Sequence, residues 1–177
     1  MADHGLTGVL LVGGASTRFG SPKALAIVDG ETLAARAWRL LGETCDERIA
    51  VGKHADGLEL PFELIDDGTE IRAPIAGVIA GLRAAKTDVA VVIPVDVPLL
   101  THEALLALAG ACRDVAIPPN GPLPGAYRQT ALVPLTRALA VGRLALREAI
   151  AGLDVATVEL DESLLVNVNT QADVRRL

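Results

Sequence analysis

The sequence is poor in aromatic side chains, with one Trp, one Tyr and two Phe among 177 residues, so its core must be aliphatic. Cysteine is scarce too. Cys45 and Cys112 lack the spacing of a metal site, fall on stretches that read as helical, and are expected to be buried thiols. The three histidines, His4, His54 and His102, are scattered and form no metal-binding pattern. No apolar run is long enough to cross a bilayer, and no charged-then-apolar leader opens the chain. A cytoplasmic protein without a membrane partner is therefore expected. Positive charge is in deficit: the net charge is −6, which argues against a nucleic-acid partner and makes any local cationic loop more noticeable. Two common nucleotide fingerprints are missing as well, G-x-x-x-x-G-K-[ST] and a G-x-G-x-x-G after a strand.

What is present is one domain's length of chain, residues 1–177, with strand and helix patterns in alternation. Val9 to Val12 reads as a buried parallel strand that stops at Gly13 and Gly14. A helix follows Gly30, with Leu33, Ala37, Leu40 and Leu41 on one face. Short strands are expected at Ile49 to Val51, ending at Gly52, and at Phe62 to Ile65, ending at Asp66 and Asp67. Pro74 opens a helix whose Gly77 and Gly81 offer close-packing surfaces. Val89 to Ile93 reads as the most buried strand, and Thr101 caps the helix after it. The stretch from Pro118 to Gly125 is a loop, Ala126 to Val133 a strand bent back from it, and Pro134 starts a helix. Leu146 to Leu153 fits another helix, and Val155 to Leu160 alternates as an edge strand does. Thr170, with Asp173 three residues on, caps a short final helix. Strand followed by helix argues for a parallel sheet covered on both faces, whose ligands bind outside the carboxyl ends of the strands. Gly13, Asp66, Asp67 and Asp96 all fall at such ends.

Three local patterns carry chemistry. The loop after the first strand presents glycine backbone, an Arg18 fork and the point charge of Lys23, a set suited to polyphosphate. The alternative is a glycine-rich turn with two solvated cations. Asp96, ending a buried strand, is suited to hold Mg²⁺ through one carboxylate oxygen while phosphates and waters complete the shell; the alternative is a turn aspartate. Asn167 and Asn169 alternate along an extended segment, which points both amides to one side.

The loop Leu11-Val12-Gly13-Gly14-Ala15-Ser16-Thr17-Arg18-Phe19-Gly20-Ser21-Pro22-Lys23 resembles the signature of the MobA-like nucleotidyltransferases, L-A-G-G-x-S-x-R-M-G-x-x-K. Val95-Asp96-Val97-Pro98-Leu99-Leu100 is similar to that family's C-D-M-P-F-L, Ala73-Pro74-Ile75-Ala76-Gly77 to its G-P-L-A-G, and Asn167-Val168-Asn169-Thr170 to its N-V-N-T-P. The resemblance runs from Thr7 to Val174. It implies a three-layer, Rossmann-like α/β nucleotidyltransferase fold with a mostly parallel sheet. It also implies a molybdenum cofactor guanylyltransferase that moves GMP from GTP onto molybdopterin and releases pyrophosphate. Mg²⁺ would sit on Asp96, with Arg18, Lys23 and Asp96 catalytic. Leu11, Val12, Gly13, Gly14, Lys23, Gly52, Asp66 or Asp67, Gly77 and Asp96 would bind nucleotide, and Asn167 and Asn169 the pterin. Gly52-Lys53 stands where guanylyltransferases of this type often have Asn-Arg. Gly13-Gly14 and the asparagines follow the guanylyl pattern, whereas Pro22-Lys23 follows the cytidylyl one. The alternatives are therefore a cytidylyltransferase of the same fold and, in a different class, a catalytically silent GTP-binding domain that delivers cofactor. Molybdoenzyme apoproteins or their chaperones are the implied protein partners.

Overall fold

The computed structural model describes residues 5–13 and 22–176. In chain order these form β1 (Leu6–Leu11), β2 (Ile27–Val28), β3 (Glu31–Thr32), α1 (Leu33–Thr44), β4 (Glu47–Gly52) and β5 (Leu64–Asp66). Then come α2 (Pro74–Ala84), β6 (Val89–Pro94), α3 (His102–Ala111), β7 (Val115–Ile117) and β8 (Gly125–Arg128). The chain continues with α4 (Leu132–Ala140), α5 (Leu146–Ala149), β9 (Val155–Thr157) and α6 (Gln171–Val174). Among the described residues a seven-stranded sheet has the order β5-β4-β1-β6-β8-β7-β9, while β2 and β3 pair separately. Every pairing in the large sheet is parallel except those of β8 with β6 and β7. This is the expected mostly parallel α/β architecture in three layers.

The near-continuous apolar runs of β1 and β6 follow from burial on both faces. Alternate residues feed two cores. Leu10, Val12, Val91 and Ile93 pack with α1 and α3, whereas Val9, Leu11, Val51 and Val92 pack with α2 and α4. On the α2 side the fit is close, since a Cβ on Gly77 would come within 2.8 Å of Leu11 and one on Gly81 within 2.6 Å of Val9. Thr32 and Thr101 cap α1 and α3 by accepting from Ala35 and Ala104 N–H, and α2 begins at Pro74 with its ring at the first helical position. At the edge of the α1 and α3 core, Trp38 of α1 stacks on Phe62 with ring centres 4.3 Å apart, and the Arg48 guanidinium lies 4.5 Å from the centre of the Trp38 ring. No helix among the described residues is long and apolar enough to cross a membrane.

Several boundaries differ from the sequence reading. The expected strand from Ala126 to Val133 stops at Arg128, because Arg128 already pairs with Val89, the first residue of β6, and no partner backbone remains. The chain then turns through Gln129–Ala131, and α4 starts ahead of Pro134. The expected helix from Leu146 to Leu153 is a single turn ending at Ala149, although Leu146 and Ile150 are buried as its pattern requires. β9 is an edge strand but ends at Thr157, since its partner β7 ends at Ile117 before Pro118 and Pro119. Cys45 and Cys112 stand just past the ends of α1 and α3, partly and fully buried, and burial pushes their thiols up to about 12 and about 11.

Candidate functional site

Strand register brings the candidate residues into one row. Leu11 lies beside both Val51 and Pro94, and Gly52 lies beside Asp66. Pairing runs on past the strands: Val12 N–H donates to the Val51 carbonyl at 2.9 Å, Val95 N–H to Leu11 at 3.1 Å, and Asp67 N–H to Gly52 at 3.1 Å. One residue further along each chain stand Gly13, Lys53, Asp96 and Asp67. By alternation these share the face of Leu11, Val51 and Ile65, on which α2 packs.

A cavity of about 290 Å³ opens there, walled by Leu11 to Gly13, Val51 to Lys53, Asp67, Ile71 to Pro74, Gly77 and Pro94 to Asp96, with Lys23 and Leu123 at its sides. The first turn of α2 faces it, and Ala73 at its start provides no side-chain cap. N–H groups at such an end favour an anion. Among the described residues three cations (Lys23, Lys53, Arg72) and two carboxylates (Asp67, Asp96) line the cavity, a local excess of one positive charge on a chain of net charge −6.

At one end, Lys23 Nζ donates to Asp96 Oδ2 at 3.1 Å and to Asn169 Oδ1 at 3.0 Å. The segment carrying Asn169 is tied in by Val168, whose N–H donates to the Asp96 carbonyl at 2.9 Å. It is not a strand, yet exposure alternates as expected: Val168 is buried while Asn167 and Asn169 face outward. Thr170 and Asp173 form the expected reciprocal cap. Two N–H bonds, from Asn169 and Thr170, hold the Asp173 carboxyl below its usual range.

At the other end, Lys53 Nζ donates to Asp67 Oδ1 at 2.6 Å and to the Thr69 carbonyl, with both side chains at most 10% exposed. Neither this pairing nor the place of Arg72 in the wall emerged from the sequence, where Gly52-Lys53 stood out only as a departure from the Asn-Arg of similar guanylyltransferases. The available signal was that Lys53 sits one residue beyond a buried strand. Arg72 is half exposed and bonded to Asp56 at 2.7 Å, which raises its pKa further. Asp66 points away from the cavity. It accepts from His54 N–H and Gly68 N–H, each at 2.8 Å, and these bonds lower its pKa. The structure thus places Leu11, Val12, Gly13, Lys23, Gly52, Asp67, Gly77 and Asp96 around one cavity, with Asn169 bonded to Lys23. Asn167 is exposed nearby, Asp66 lies outside, and Gly14 and Arg18 lie outside the described residues.

Among the described residues no three His, Cys, Asp or Glu side chains cluster as a protein-only metal cage. Asp96 Oδ1 has no hydrogen-bond partner among them, and the single carboxylate suits a Mg²⁺ ion that takes its other ligands from phosphates and water.

Residues 8–158 match the MobA-like NTP transferase domain. The chain is 35% identical over 161 residues to a probable molybdenum cofactor guanylyltransferase from Chloroflexus aggregans, spanning 84% of this chain and 77% of the relative. It is 36% identical over 185 residues to a protein of the same description from Deinococcus radiodurans, spanning 97% and 93%. The fold is similar to the crystal structure of molybdopterin-guanine dinucleotide biosynthesis protein A from Archaeoglobus fulgidus, with a TM-score of 0.81, 25% identity and coverage of 96% and 95%. With the family's domain spanning most of the chain and these relatives covering nearly all of it, this protein belongs to the MobA-like NTP transferase family.

Proposed function

We propose that the protein transfers the guanylyl group of GTP to molybdopterin cofactor and releases pyrophosphate. The observation that carries this reading is the meeting of Lys23, Asp96 and Asn169, from three distant segments, at one end of the cavity that Gly13 also lines. A terminal phosphate oxygen of the pterin substrate forms a bond to the α-phosphorus of GTP while the bond from that phosphorus to the bridging oxygen of pyrophosphate breaks. The attacking phosphate is already anionic, so no protein nucleophile or base is needed, and the protein's task is positioning and charge neutralisation.

Lys23 supplies a cation that moves between Asp96 and the polyphosphate, with Arg18 of the same loop as a second cation. The backbone at Val12 and Gly13 allows the chain close to the phosphates, since Gly13 carries no Cβ. Asn167 and Asn169 serve the pterin side. Mg²⁺ held by Asp96 would neutralise phosphate charge. A cytoplasmic setting and hand-over to molybdoenzyme apoproteins or their chaperones complete the proposal.

The test is pyrophosphate release with molybdopterin, Mg²⁺ and each of the four nucleoside triphosphates. GTP alone should support turnover. CTP as the preferred substrate points to the cytidylyl branch, and nucleotide binding without pyrophosphate release to a delivery domain. In Asp96→Asn, added Mg²⁺ should no longer strengthen GTP binding. A variant with the parent's Mg²⁺ dependence would remove the metal role from Asp96.

A further inference from the structure

The wall of the cavity continues past Asp96. Along the strand order β4-β1-β6-β8 it passes from Lys53 through Gly13 and Asp96 to Leu123, in the loop that leads into β8. β8 runs antiparallel to β6, with Gly125 beside Val92, so the residues before Gly125 are carried toward the carboxyl end of β6. Leu123 therefore stands on the far side of Asp96 from Lys53 and Asp67. The loop that carries it is held at several points. Pro118, Pro119, Pro122 and Pro124 each fix a φ angle. The Pro118 carbonyl accepts from Gly121 N–H at 3.4 Å, and the Pro119 carbonyl from Arg147 Nη2 at 3.3 Å. The Pro122 carbonyl accepts at 2.6 Å from the hydroxyl of Tyr127, a side chain wholly buried in the core of α2 and α4. That carbonyl folds back over Gly125 so closely that a Cβ there would come within 2.7 Å of its oxygen. The peptide between Pro122 and Leu123 is thus pinned at its oxygen, immediately before the side chain that enters the cavity wall.

We propose that Tyr127 is a positioning residue for the acceptor substrate: its hydroxyl, through the Pro122 carbonyl, holds Leu123 as a fixed apolar surface against the fused rings of the pterin. This rests on the nucleotidyl-transfer reading above. In that reaction the attacking phosphate approaches the α-phosphorus opposite the departing pyrophosphate, so the acceptor comes in on the side of Asp96 that the nucleotide leaves free. There Leu123 offers it an apolar surface and Asn169 an amide. A ring system with an apolar face and a hydrogen-bonding edge is the ligand such a pair fits. A wall already held in place costs little to order when the acceptor arrives. A loop that sampled several positions would lower the apparent affinity by the fraction of time it spends in the right one. Tyr127 itself lies beneath the wall, so its effect passes through Leu123.

Steady-state kinetics at saturating nucleoside triphosphate and Mg²⁺ test this. Tyr127→Phe keeps the ring in the core and removes only the donor. The KM for molybdopterin should rise on the order of 3- to 10-fold, while kcat and the affinity for nucleotide stay within about 2-fold of the parent's. Leu123→Ala, which alters the wall directly, should raise that KM at least as much. The double variant should show no more than the effect of Leu123→Ala, because Tyr127 acts only through Leu123. A hydroxyl that merely stabilises the core would lower the unfolding midpoint and leave the KM for molybdopterin where it was. That result overturns the assignment, as do an equal loss of nucleotide affinity in Tyr127→Phe and effects that multiply in the double variant. Should Tyr127→Phe fail to fold, Leu123→Ala decides alone, and a parent-like KM removes the wall. Each of these failures leaves nucleotidyl transfer standing. A parent protein that releases no pyrophosphate from any nucleoside triphosphate with molybdopterin overturns both.

Discussion

Lys23 holds Asp96 and Asn169 together in the resting cavity, with the side chains of the ion pair 19% and 24% exposed. That degree of solvent contact screens the pair, so it adds little to stability and leaves the cation available to phosphate. Lys23→Ala should therefore unfold at a midpoint close to the parent's while turnover falls on the order of 10²- to 10³-fold, the usual effect of removing one charge-stabilising donor. Steady-state pyrophosphate release and thermal unfolding on the same samples decide this; undiminished turnover would return Lys23 to a solvated cation. Gly13 offers a second probe. Among the described residues a Cβ there would meet only the Gly52 Cα, at 3.9 Å, so Gly13→Ala should fold normally and intrude on the cavity instead of the core. The rise in unfolding midpoint given by GTP with Mg²⁺ should shrink more than that given by CTP. Equal losses for the two nucleotides would count against a purine lying on this loop. Between Asp66 and Asp67 the sequence offered no decision, because strand alternation assigns faces only once the register with β4 is known. The structure puts Asp67 on the cavity side and turns Asp66 back to the His54 and Gly68 backbone.

Among the helices, glycine has opposite consequences at two positions. Gly81 of α2 lies against Val9 so closely that Gly81→Ala would overpack the sheet, at a cost of about 1–3 kcal/mol. Gly110 of α3 is exposed with nothing within 4 Å of an added Cβ, and Gly110→Ala should stabilise by about 0.4–1 kcal/mol. Chemical denaturation midpoints of the two variants should move in opposite directions; a shared direction would contradict the packing of α2 on β1. Elements with strong local signals were legible in the sequence: the unbroken apolar run of β6, the Thr101 cap of α3, the Pro74 start of α2. Those set by their neighbours were not. β8 and β9 are as long as β6 and β7 allow, and the length of a partner strand is a tertiary fact that no window of Val, Thr and Leu contains. The pairing of Lys53 escaped notice for the same reason, since its partners Asp67 and Thr69 belong to another strand end.

Across the whole molecule, burial raises the pKa of three acids that are neutral when protonated: Cys45 to about 12, Cys112 to about 11, and Tyr127, whose hydroxyl donates to the Pro122 carbonyl at 2.6 Å, further still. Their ordinary values are 9.0 for the thiols and 10.0 for the phenol. Above pH 9 the unfolded chain sheds protons that the folded one keeps, so the contribution of these three groups to stability should be level below pH 9 and fall as pH rises toward 11 and 12. Replacing both cysteines with Ala should flatten the first part of that decline in urea midpoints measured from pH 8 to 11. Superimposable pH profiles would show that neither thiol is held protonated by the fold. Such measurements are commonly followed by light emission, and here the Trp38 stack has its say. Trp38 is the sole indole of the chain, in contact with Phe62 and Arg48 and packed toward the α1 and α3 core, across the sheet from the cavity. Its fluorescence will register the parting of that corner on denaturation and stay dark to nucleotide arriving on the far face, so occupancy has to be watched through a chromophore carried by the nucleotide itself.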